Sequence, residues 1–375
     1  MQEYSQKNAS DSISEGEMSW RVKIISQIGL ALFAIVVGLL FVEWGTRIIF
    51  NRNGMNYGIE MWKYAKQIKR RSPIPRMGHE HIPNREEVLM GVDVKINSQG
   101  LRDYEYPISK AENTFRALVL GDSMTLGWGA PFEQTYPKVL ERMLNENHPA
   151  VEARQVPDDR PGHGVPYQRY EVINAGVGNY NSVQEVAYFK ARGIQYNPDM
   201  VLLGFYLNDA EEVPKPSTGF LREHSYFYVL LSSGWDALLR AVGRRKGYED
   251  YYLELYSDTN KGWKACQAAL EELIRLCQEK QIELRIIIIP ELHSPNEAYA
   301  FGKVHALISH IGNQHHIPVI DLLPAFKGVH PPSLWVSPGD PHPSAKAHEI
   351  IAKALYDTEW GNQGAGESAN ETMGK

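Results

Sequence analysis

The chain has 375 residues, of which 43% are hydrophobic and 22% charged, which is the balance of a chain that buries a core. Its formal net charge of -6 and its pI near 6.1 argue against a nucleic-acid-binding protein, which would usually be basic. The length fits one large α/β domain with extensions at its ends.

The N-terminal region contains a candidate membrane segment. Residues 1–20 form a polar leader whose composition predicts disorder. Residues 24–42 (IISQIGLALFAIVVGLLFV) are nearly all apolar, and 19 helical residues extend about 28 Å, close to the thickness of a bilayer core. We therefore expect a transmembrane helix over residues 21–45 that contacts the lipid bilayer through residues 22–43. The main alternative is a cleaved signal peptide, but no small-x-small cleavage site follows the apolar run.

The charges that flank this segment give opposite indications of its orientation. Arg21 and Lys23 favour a cytoplasmic N-terminus, whereas Arg47, Arg52 and Lys63 favour the reverse. A large C-terminal domain can be translocated despite such charges. We expect a single-pass membrane protein whose large domain lies on the extracytoplasmic side.

Residues 46–95 form a predicted juxtamembrane connector, and strands then alternate with helices. Five short apolar runs predict strands that are buried on both faces. They are residues 115–120, 170–174, 200–206, 284–289 and 318–321. Helices are predicted at residues 133–147, 182–192, 262–280, 297–313 and 344–355. This alternation predicts an α/β fold with a parallel sheet between two helical layers and a ligand site at the carboxyl ends of the strands.

Three further segments complete the predicted organisation. Residues 151–166 are polar and rich in Pro and Gly, which predicts a surface loop. Residues 214–256 are rich in aromatic residues and predict an insertion near the site that could act as a lid. Residues 359–375 are polar and Gly-rich, which predicts a disordered tail. The main domain would therefore span residues 96–358.

The first strand end places a candidate nucleophile. Gly121-Asp122-Ser123 directly follows the strand, and Gly121 permits the sharp turn that would project the Ser123 hydroxyl from the edge of the sheet. Taken alone, Gly-Asp-Ser is also an ordinary turn.

The next two strand ends offer hydrogen-bond donors. The second ends in NAGVGNY, residues 174–180, where glycines mark a tight loop whose N–H groups could stabilise an oxyanion. The third ends in Asn208-Asp209, and the Asn208 amide could donate to the same charge. Each feature has a plain alternative, a turn or a helix cap.

A candidate base precedes the last helix. His342 follows Asp340 in the segment GDPHP, and Asp340 could orient the imidazole. The four features occur in chain order at one predicted sheet edge, and independent coincidence at all four points is improbable.

With these motifs the chain resembles the SGNH (GDSL) hydrolases over roughly residues 97–356. The resemblance implies a flavodoxin-like three-layer fold and the hydrolysis or transfer of acyl esters. By analogy Ser123 is the nucleophile, His342 relays the proton and Asp340 is its partner. The oxyanion hole would comprise the N–H of Ser123, a backbone N–H of Gly178 or Asn179, and the Asn208 amide.

Two departures from the family pattern concern the loop and the acid. The usual oxyanion glycine aligns with Asn179, and Asn tolerates a left-handed backbone better than most residues. The usual Asp-x-x-His is Asp-x-His here. Residues i and i+2 of an extended segment point the same way, so Asp340 could still reach His342.

Neither a cofactor nor a metal is predicted. The chain has no P-loop, no complete dinucleotide fingerprint and no His-x-x-x-His pair. The expected partners are an acyl-ester substrate, a glycan or a lipid, and the bilayer, with no nucleic acid.

Three functions remain open from the sequence. The first is a serine esterase that removes an acyl group, such as acetyl, from a glycan or lipid. The second is an O-acyltransferase that acts on a cell-surface polysaccharide. The third is an inactive SGNH-fold protein that binds a glycan or a protein partner, for which the Asp-x-His spacing is the only support.

Overall fold

The computed structural model describes residues 2–52, 56–147, 169–213, 219–295 and 298–361. Its helices are α1 (Gln2–Arg52), α2 (Tyr57–Lys63), α3 (Ser123–Leu126), α4 (Tyr136–Asn147), α5 (Ser182–Ala191), α6 (Phe220–His224), α7 (Tyr226–Ala241), α8 (Tyr248–Leu255), α9 (Lys261–Lys280), α10 (Gly302–His315) and α11 (Ala345–Glu359). Its strands are β1 (Lys69–Arg71), β2 (His79–His81), β3 (Glu86–Leu89), β4 (Val92–Lys95), β5 (Thr114–Gly121), β6 (Arg169–Asn174), β7 (Met200–Phe205), β8 (Glu283–Ile288), β9 (Val319–Asp321), β10 (Trp335–Ser337) and β11 (Asp340–Pro343).

The central element is a five-stranded parallel sheet with the order β6-β5-β7-β8-β9. Every residue of β5 and of β7 is buried, as expected for strands covered on both faces. The five predicted strands are confirmed within one residue at each end. Helices flank the sheet, with α4 packed against α11 and α5 against α9. The predicted α/β fold of flavodoxin-like type is therefore confirmed.

The chain divides into two compact units. The larger unit comprises residues 60–216 and 236–375 and contains the sheet. Residues 60–95, predicted as a connector, contribute a folded subdomain to this unit. This subdomain contains the hairpins β1–β2 and β3–β4. Strands β3 and β4 contribute Leu89 and Val94 to a second apolar cluster. The buried members of that cluster are Tyr64, Ile68, Leu89, Met90, Val94, Ile96, Leu126 and Trp128.

The smaller unit comprises residues 1–59 and 217–235. Helix α1 begins at Gln2, so it includes the leader for which the composition predicts disorder. Its portion Val22–Asn51 is the one helix of the described chain that is long and apolar enough to cross a membrane, a criterion that a signal sequence also meets. Within this unit, Glu43 accepts hydrogen bonds from the Ser225 hydroxyl and from the N–H groups of Tyr226 and Phe227.

The predicted insertion at residues 214–256 contains α6, α7 and α8. Residues 214–218 of this insertion lie outside the described residues, as do the predicted surface loop at 151–166 and residues 362–375 of the predicted tail. The role of the insertion as a lid stays a prediction.

Candidate active site

The turn after β5 holds Ser123 at the carboxyl edge of the sheet. A Cβ at Gly121 would approach Thr125 Oγ1 to 2.0 Å, so only glycine fits where the strand turns into α3. Asp122 caps this helix by accepting the Met124 N–H at 2.8 Å. Ser123 begins α3 and is only 6% exposed, which limits the access of water to its hydroxyl.

Ser123, His342 and Asp340 form one hydrogen-bonded chain. The distance from His342 Nε2 to Ser123 Oγ is 2.9 Å, and that from His342 Nδ1 to Asp340 Oδ1 is 2.5 Å. Because a carboxylate only accepts, Nδ1 carries the proton, and neutral Nε2 can accept from the serine hydroxyl. Asp340 and His342 both lie on the extended strand β11, where residues i and i+2 share a face. The Asp-x-His spacing therefore permits this contact.

A residue that sequence reasoning missed holds the acid. Trp128 is 2% exposed and donates its Nε1–H to Asp340 Oδ2 at 2.9 Å. Burial acts to raise the pKa of Asp340, but hydrogen bonds from His342 and Trp128 and the charge of His342 outweigh it, so the pKa lies below its usual value. Asp340 is therefore an ionised carboxylate at neutral pH. In the sequence, Trp128 is recognisable only as an aromatic residue near the predicted site, within Gly127-Trp128-Gly129, and nothing there indicates a contact with Asp340.

The loop after β6 is fixed against α3. Asn174 accepts the Gly176 N–H at 2.9 Å and donates to the Thr125 carbonyl at 2.8 Å. A Cβ at Gly176 would lie 2.3 Å from the Leu126 nitrogen, so this glycine is required by close backbone approach. Asn179 has φ of 66°, the left-handed conformation that the sequence led us to expect.

The Gly178 N–H is engaged inside the protein. It donates to Tyr64 Oη at 2.9 Å, and the Tyr64 ring lies so close that a Cβ at Gly178 would meet Cε1 at 2.6 Å. The prediction offered Gly178 or Asn179 as backbone donor, and in this structure the Gly178 N–H is not free to face an oxyanion. For the Asn179 N–H, no acceptor occurs among the described residues.

Tyr64 is itself oriented by His81. His81 Nδ1 lies 3.0 Å from the Gly100 carbonyl, so it carries the proton, and Nε2 accepts the Tyr64 hydroxyl at 2.6 Å. Burial lowers the pKa of His81 to about 3, with the charges of Lys69 and Arg102 acting in the same direction. The neutral imidazole leaves the Tyr64 oxygen available to accept from Gly178.

Lys69 holds the other side of the same loop. Its Nζ donates to the Gly178 carbonyl at 3.1 Å and to Asn179 Oδ1 at 3.0 Å, and it lies 4.6 Å from the centre of the Tyr64 ring. Burial lowers the pKa of Lys69 to about 7. Sequence reasoning missed the roles of Tyr64, His81 and Lys69 because all three precede the recognisable motifs. Tyr64 begins a π-helical turn, Tyr64–Ile68, and Lys69 and His81 belong to short strands of mixed polarity.

Asn208 follows β7 in a 3-10 helix, Leu207–Ala210, at the same edge of the sheet. Its Nδ2 donates to the Tyr180 carbonyl at 3.2 Å, and its amide also hydrogen-bonds to the Asp122 side chain. Neighbouring Asp209 accepts from the Tyr206 N–H at 2.8 Å and from the Ser182 hydroxyl at 3.0 Å. Burial raises the pKa of Asp209 well above its usual value, and protein donors engage both of its oxygens, so this side chain is structural.

No group of three or more His, Cys, Asp or Glu side chains in the described part of the chain is arranged to hold a metal ion.

Comparisons with known proteins bear on this arrangement. None of the curated proteins matches the chain significantly. Similar solved structures include a lipase from a goat rumen metagenome (16% identity, 66% of this chain, 99% of that chain, TM-score 0.43). Another is the lipase/acylhydrolase from Enterococcus faecalis (15% identity, 65% of this chain, 94% of that chain, TM-score 0.39). A third is the psychrotrophic esterase EstA from Pseudoalteromonas sp. (18% identity, 66% of this chain, 96% of that chain, TM-score 0.36).

The family assignment rests on a family model instead. The model of the GDSL-like lipase/acylhydrolase family matches residues 119–350, which is more than half of the 375 residues. The matched region includes Ser123, the loop after β6, Asn208, Asp340 and His342. The chain therefore belongs to the GDSL-like lipase/acylhydrolase family.

Proposed function

We propose that the protein is a membrane-anchored serine esterase that hydrolyses an acyl ester, such as an acetyl ester, of a glycan or lipid. The observation that supports this proposal best is the continuous contact from Ser123 Oγ through His342 to Asp340, at 2.9 and 2.5 Å. A hydroxyl bonded to a base that is itself oriented by an acid is the arrangement that activates a serine.

In the first half-reaction Ser123 Oγ attacks the acyl carbon while His342 Nε2 takes the hydroxyl proton. Asp340 holds the imidazole and stabilises the imidazolium that forms. When the tetrahedral intermediate collapses, the bond from the acyl carbon to the alcohol oxygen breaks, and Nε2–H protonates the leaving alcohol. The acyl group then remains on Ser123.

In the second half-reaction water replaces the alcohol. His342 removes a proton from the water, the resulting hydroxide attacks the acyl carbon, and Ser123 leaves with the proton from Nε2. The products are the free acid and the original enzyme. An alcohol acceptor in place of water would give acyl transfer by the same steps.

Three donors would stabilise the oxyanion in both steps. They are the N–H of Ser123, the N–H of Asn179 and the side-chain amide of Asn208. The first lies at the N-terminus of α3, and the third is oriented by the Tyr180 carbonyl. Asn179 is preferred to Gly178 because Tyr64 already accepts from the Gly178 N–H. Such donors contribute most where water is excluded.

Helix α1 would anchor this enzyme to the membrane, with its larger unit on the extracytoplasmic side. The support is the apolar portion Val22–Asn51, whose large hydrophobic side chains are exposed. In a bilayer these side chains would contact lipid, whereas their exposure to water is energetically unfavourable.

The test uses the full chain in detergent, with a fluorophosphonate probe and p-nitrophenyl acetate. Ser123→Ala should abolish labelling and reduce kcat by about 10³-fold or more. Ser98→Ala removes a hydroxyl that binds exposed Glu105 and should change neither. Equal labelling and turnover in Ser123→Ala and the unmodified chain would reject the serine mechanism.

A further inference from the structure

A cleft of about 590 Å³ lies in the larger unit, and its lining does not include the triad. Its volume lies within the range of about 300–1,000 Å³ that is usual for small-molecule sites. Its lining combines aromatic faces with polar groups. The aromatic residues are Tyr248, Tyr299 and Phe301, and the titratable ones are Glu249, Asp250, Glu291 and His293.

Strand register places this cleft close to the nucleophile. Gly121 of β5 pairs with Gly204 of β7, which pairs with Ile287 of β8. Ser123 lies two residues after Gly121, and Glu291 lies four residues after Ile287. Both therefore follow the carboxyl ends of their strands, on the same edge of the sheet. Two strand spacings of about 4.8 Å separate β5 from β8, so the cleft begins roughly 10 Å from Ser123.

A second connection runs through the β10–β11 hairpin. The Trp335 ring lies 5.3 Å from the His293 ring, and Trp335 pairs with Pro343, which directly follows His342. Trp335 thus packs between the cleft and the strand of the catalytic base. A ligand in the cleft would extend toward the Ser123 hydroxyl rather than lie on a separate surface.

Tyr248 provides an accessible aromatic face. It is 39% exposed, and its hydroxyl lies 3.4 Å from that of Tyr206, which follows β7. Phe301, only 2% exposed, packs edge-on behind it at 6.3 Å. Contacts with the rings of Tyr252, His293 and Phe301 fix the Tyr248 side chain, and its exposed part remains accessible to a ligand.

The polar groups of the cleft are already oriented. Buried Glu291 accepts from the His293 N–H at 3.0 Å and from His293 Nδ1, which leaves Nε2 for a ligand. The Glu291 N–H donates to Tyr299 Oη at 2.7 Å, and this bond fixes a second tyrosine. The hydrogen bond that His293 donates to Glu291 also raises the pKa of His293.

This chemistry discriminates between classes of ligand. The carboxylates of Glu249, Asp250 and Glu291 would repel a phosphate headgroup. An alkyl chain would desolvate these polar groups without replacing their hydrogen bonds. A sugar ring can place its C–H face on an aromatic ring and its hydroxyls on the polar groups.

We propose that the cleft is a subsite for a neutral sugar residue that carries, or lies next to, the esterified hydroxyl. The assignment of the sugar to the alcohol portion rests on the proposed esterase function, whereas the binding itself does not.

The test measures binding separately from catalysis. The full chain with Ser123→Ala, in a sugar-free detergent, is titrated with xylotetraose, cellotetraose and chitotetraose, plain and O-acetylated, by calorimetry. Tyr248→Ala should raise the Kd of the best ligand at least tenfold, and His293→Gln should raise it about threefold. The control is Tyr251→Ala, on the same helix, whose hydroxyl binds Glu211 outside the cleft. It should change the Kd less than twofold.

Kinetics on the active chain complete the test. Tyr248→Ala should raise KM for the acetylated oligosaccharide at least tenfold, while kcat/KM for p-nitrophenyl acetate stays within twofold and so reports intact folding. The proposal is overturned if no oligosaccharide binds or if Tyr251→Ala weakens binding as much as Tyr248→Ala. Binding without any esterase activity would reject the proposed function and keep the subsite.

Discussion

At the scale of single residues, the site divides into parts that the sequence makes visible and parts that it does not. Ser123, Asn208 and His342 follow predicted strands or precede a predicted helix, so the topology alone brings them to one edge. Tyr64 lies outside the family match and has no motif around it, although it accepts a hydrogen bond from the oxyanion loop. Its role depends on tertiary packing that local patterns do not encode.

Tyr64→Phe tests this role. The change removes the acceptor of the Gly178 N–H and the donor to His81, so the loop that carries Asn179 loses its fixed position. We expect kcat for p-nitrophenyl acetate to fall about tenfold or more, less than the roughly 10²–10³ measured for deletion of a whole oxyanion donor, with KM nearly unchanged.

Tyr106→Phe is the matched control for this loss of a buried hydroxyl. The Tyr106 hydroxyl donates to Glu141 at 2.6 Å and accepts from Lys138 at 2.7 Å, and neither partner belongs to the loop. Its kcat should stay within twofold. A similar fall in kcat for both variants would mean that Tyr64 contributes only to stability.

The two aspartates near the site should differ sharply in their response to amidation. Asp340→Asn removes the carboxylate that fixes the His342 tautomer, and we expect kcat to fall by about 10²–10⁴. Asp209→Asn should change kcat less than threefold, because Asp209 bonds to Tyr206 and Ser182 rather than to His342, and the amide oxygen can still accept the Tyr206 N–H. Both are measured as steady-state rates at neutral pH, and equal losses would remove Asp340 from the proposed triad.

At the scale of elements, the main sheet is predictable because its strands are continuous apolar runs, a pattern that only burial on both faces explains. The hairpins β1–β2 and β3–β4 have three or four residues per strand and mixed burial, so neither periodicity nor length identifies them. The basic run Lys69-Arg70-Arg71 illustrates the difficulty. Lys69 binds the loop after β6, and Arg70 pairs with Glu80.

The contact between α11 and α4 predicts a specific response to acid. His348 of α11 is fully buried and accepts the Tyr136 N–H at the start of α4, at 3.2 Å. Burial lowers the pKa of His348 to about 3. Above pH 6.5 the imidazole is neutral in both states. Between pH 6.5 and 3 only the unfolded state binds the proton, so folding stability declines as the pH falls, by about 2 kcal/mol at pH 5.

His348→Asn keeps an acceptor but cannot be protonated. The variant should be less stable at pH 7.5, because the smaller side chain leaves a cavity. Its additional loss of stability between pH 7.5 and 5 should be about 2 kcal/mol smaller than that of the unmodified chain. Urea unfolding at both pH values measures this, with exposed His310→Asn as the control. An unchanged pH dependence in His348→Asn would contradict the linkage.

At the scale of the whole molecule, the sequence predicts a domain and an apolar segment but not how much chain each includes. Composition predicted disorder for the leader, whereas α1 continues through it to Gln2. Residues 60–95 contribute a buried cluster to the larger unit, because their apolar side chains, too few for a core of their own, pack on Leu126 and Trp128. The proposed anchor and a signal sequence share an N-terminal apolar segment, and the composition of the mature chain distinguishes them directly.

Leu32→Arg combined with Ile35→Arg tests the anchor in the complete chain. Both side chains are exposed on α1, and each arginine near the centre of a span costs about 3 kcal/mol. We expect the double variant to be released from membranes by alkaline carbonate, while Leu32→Phe with Ile35→Phe stays bound. Mass spectrometry of the unmodified membrane-bound chain should give the full 42.5 kDa. A mature chain that lacks the N-terminal apolar segment would identify α1 as a signal sequence, because a membrane anchor is retained whereas a signal peptide is removed.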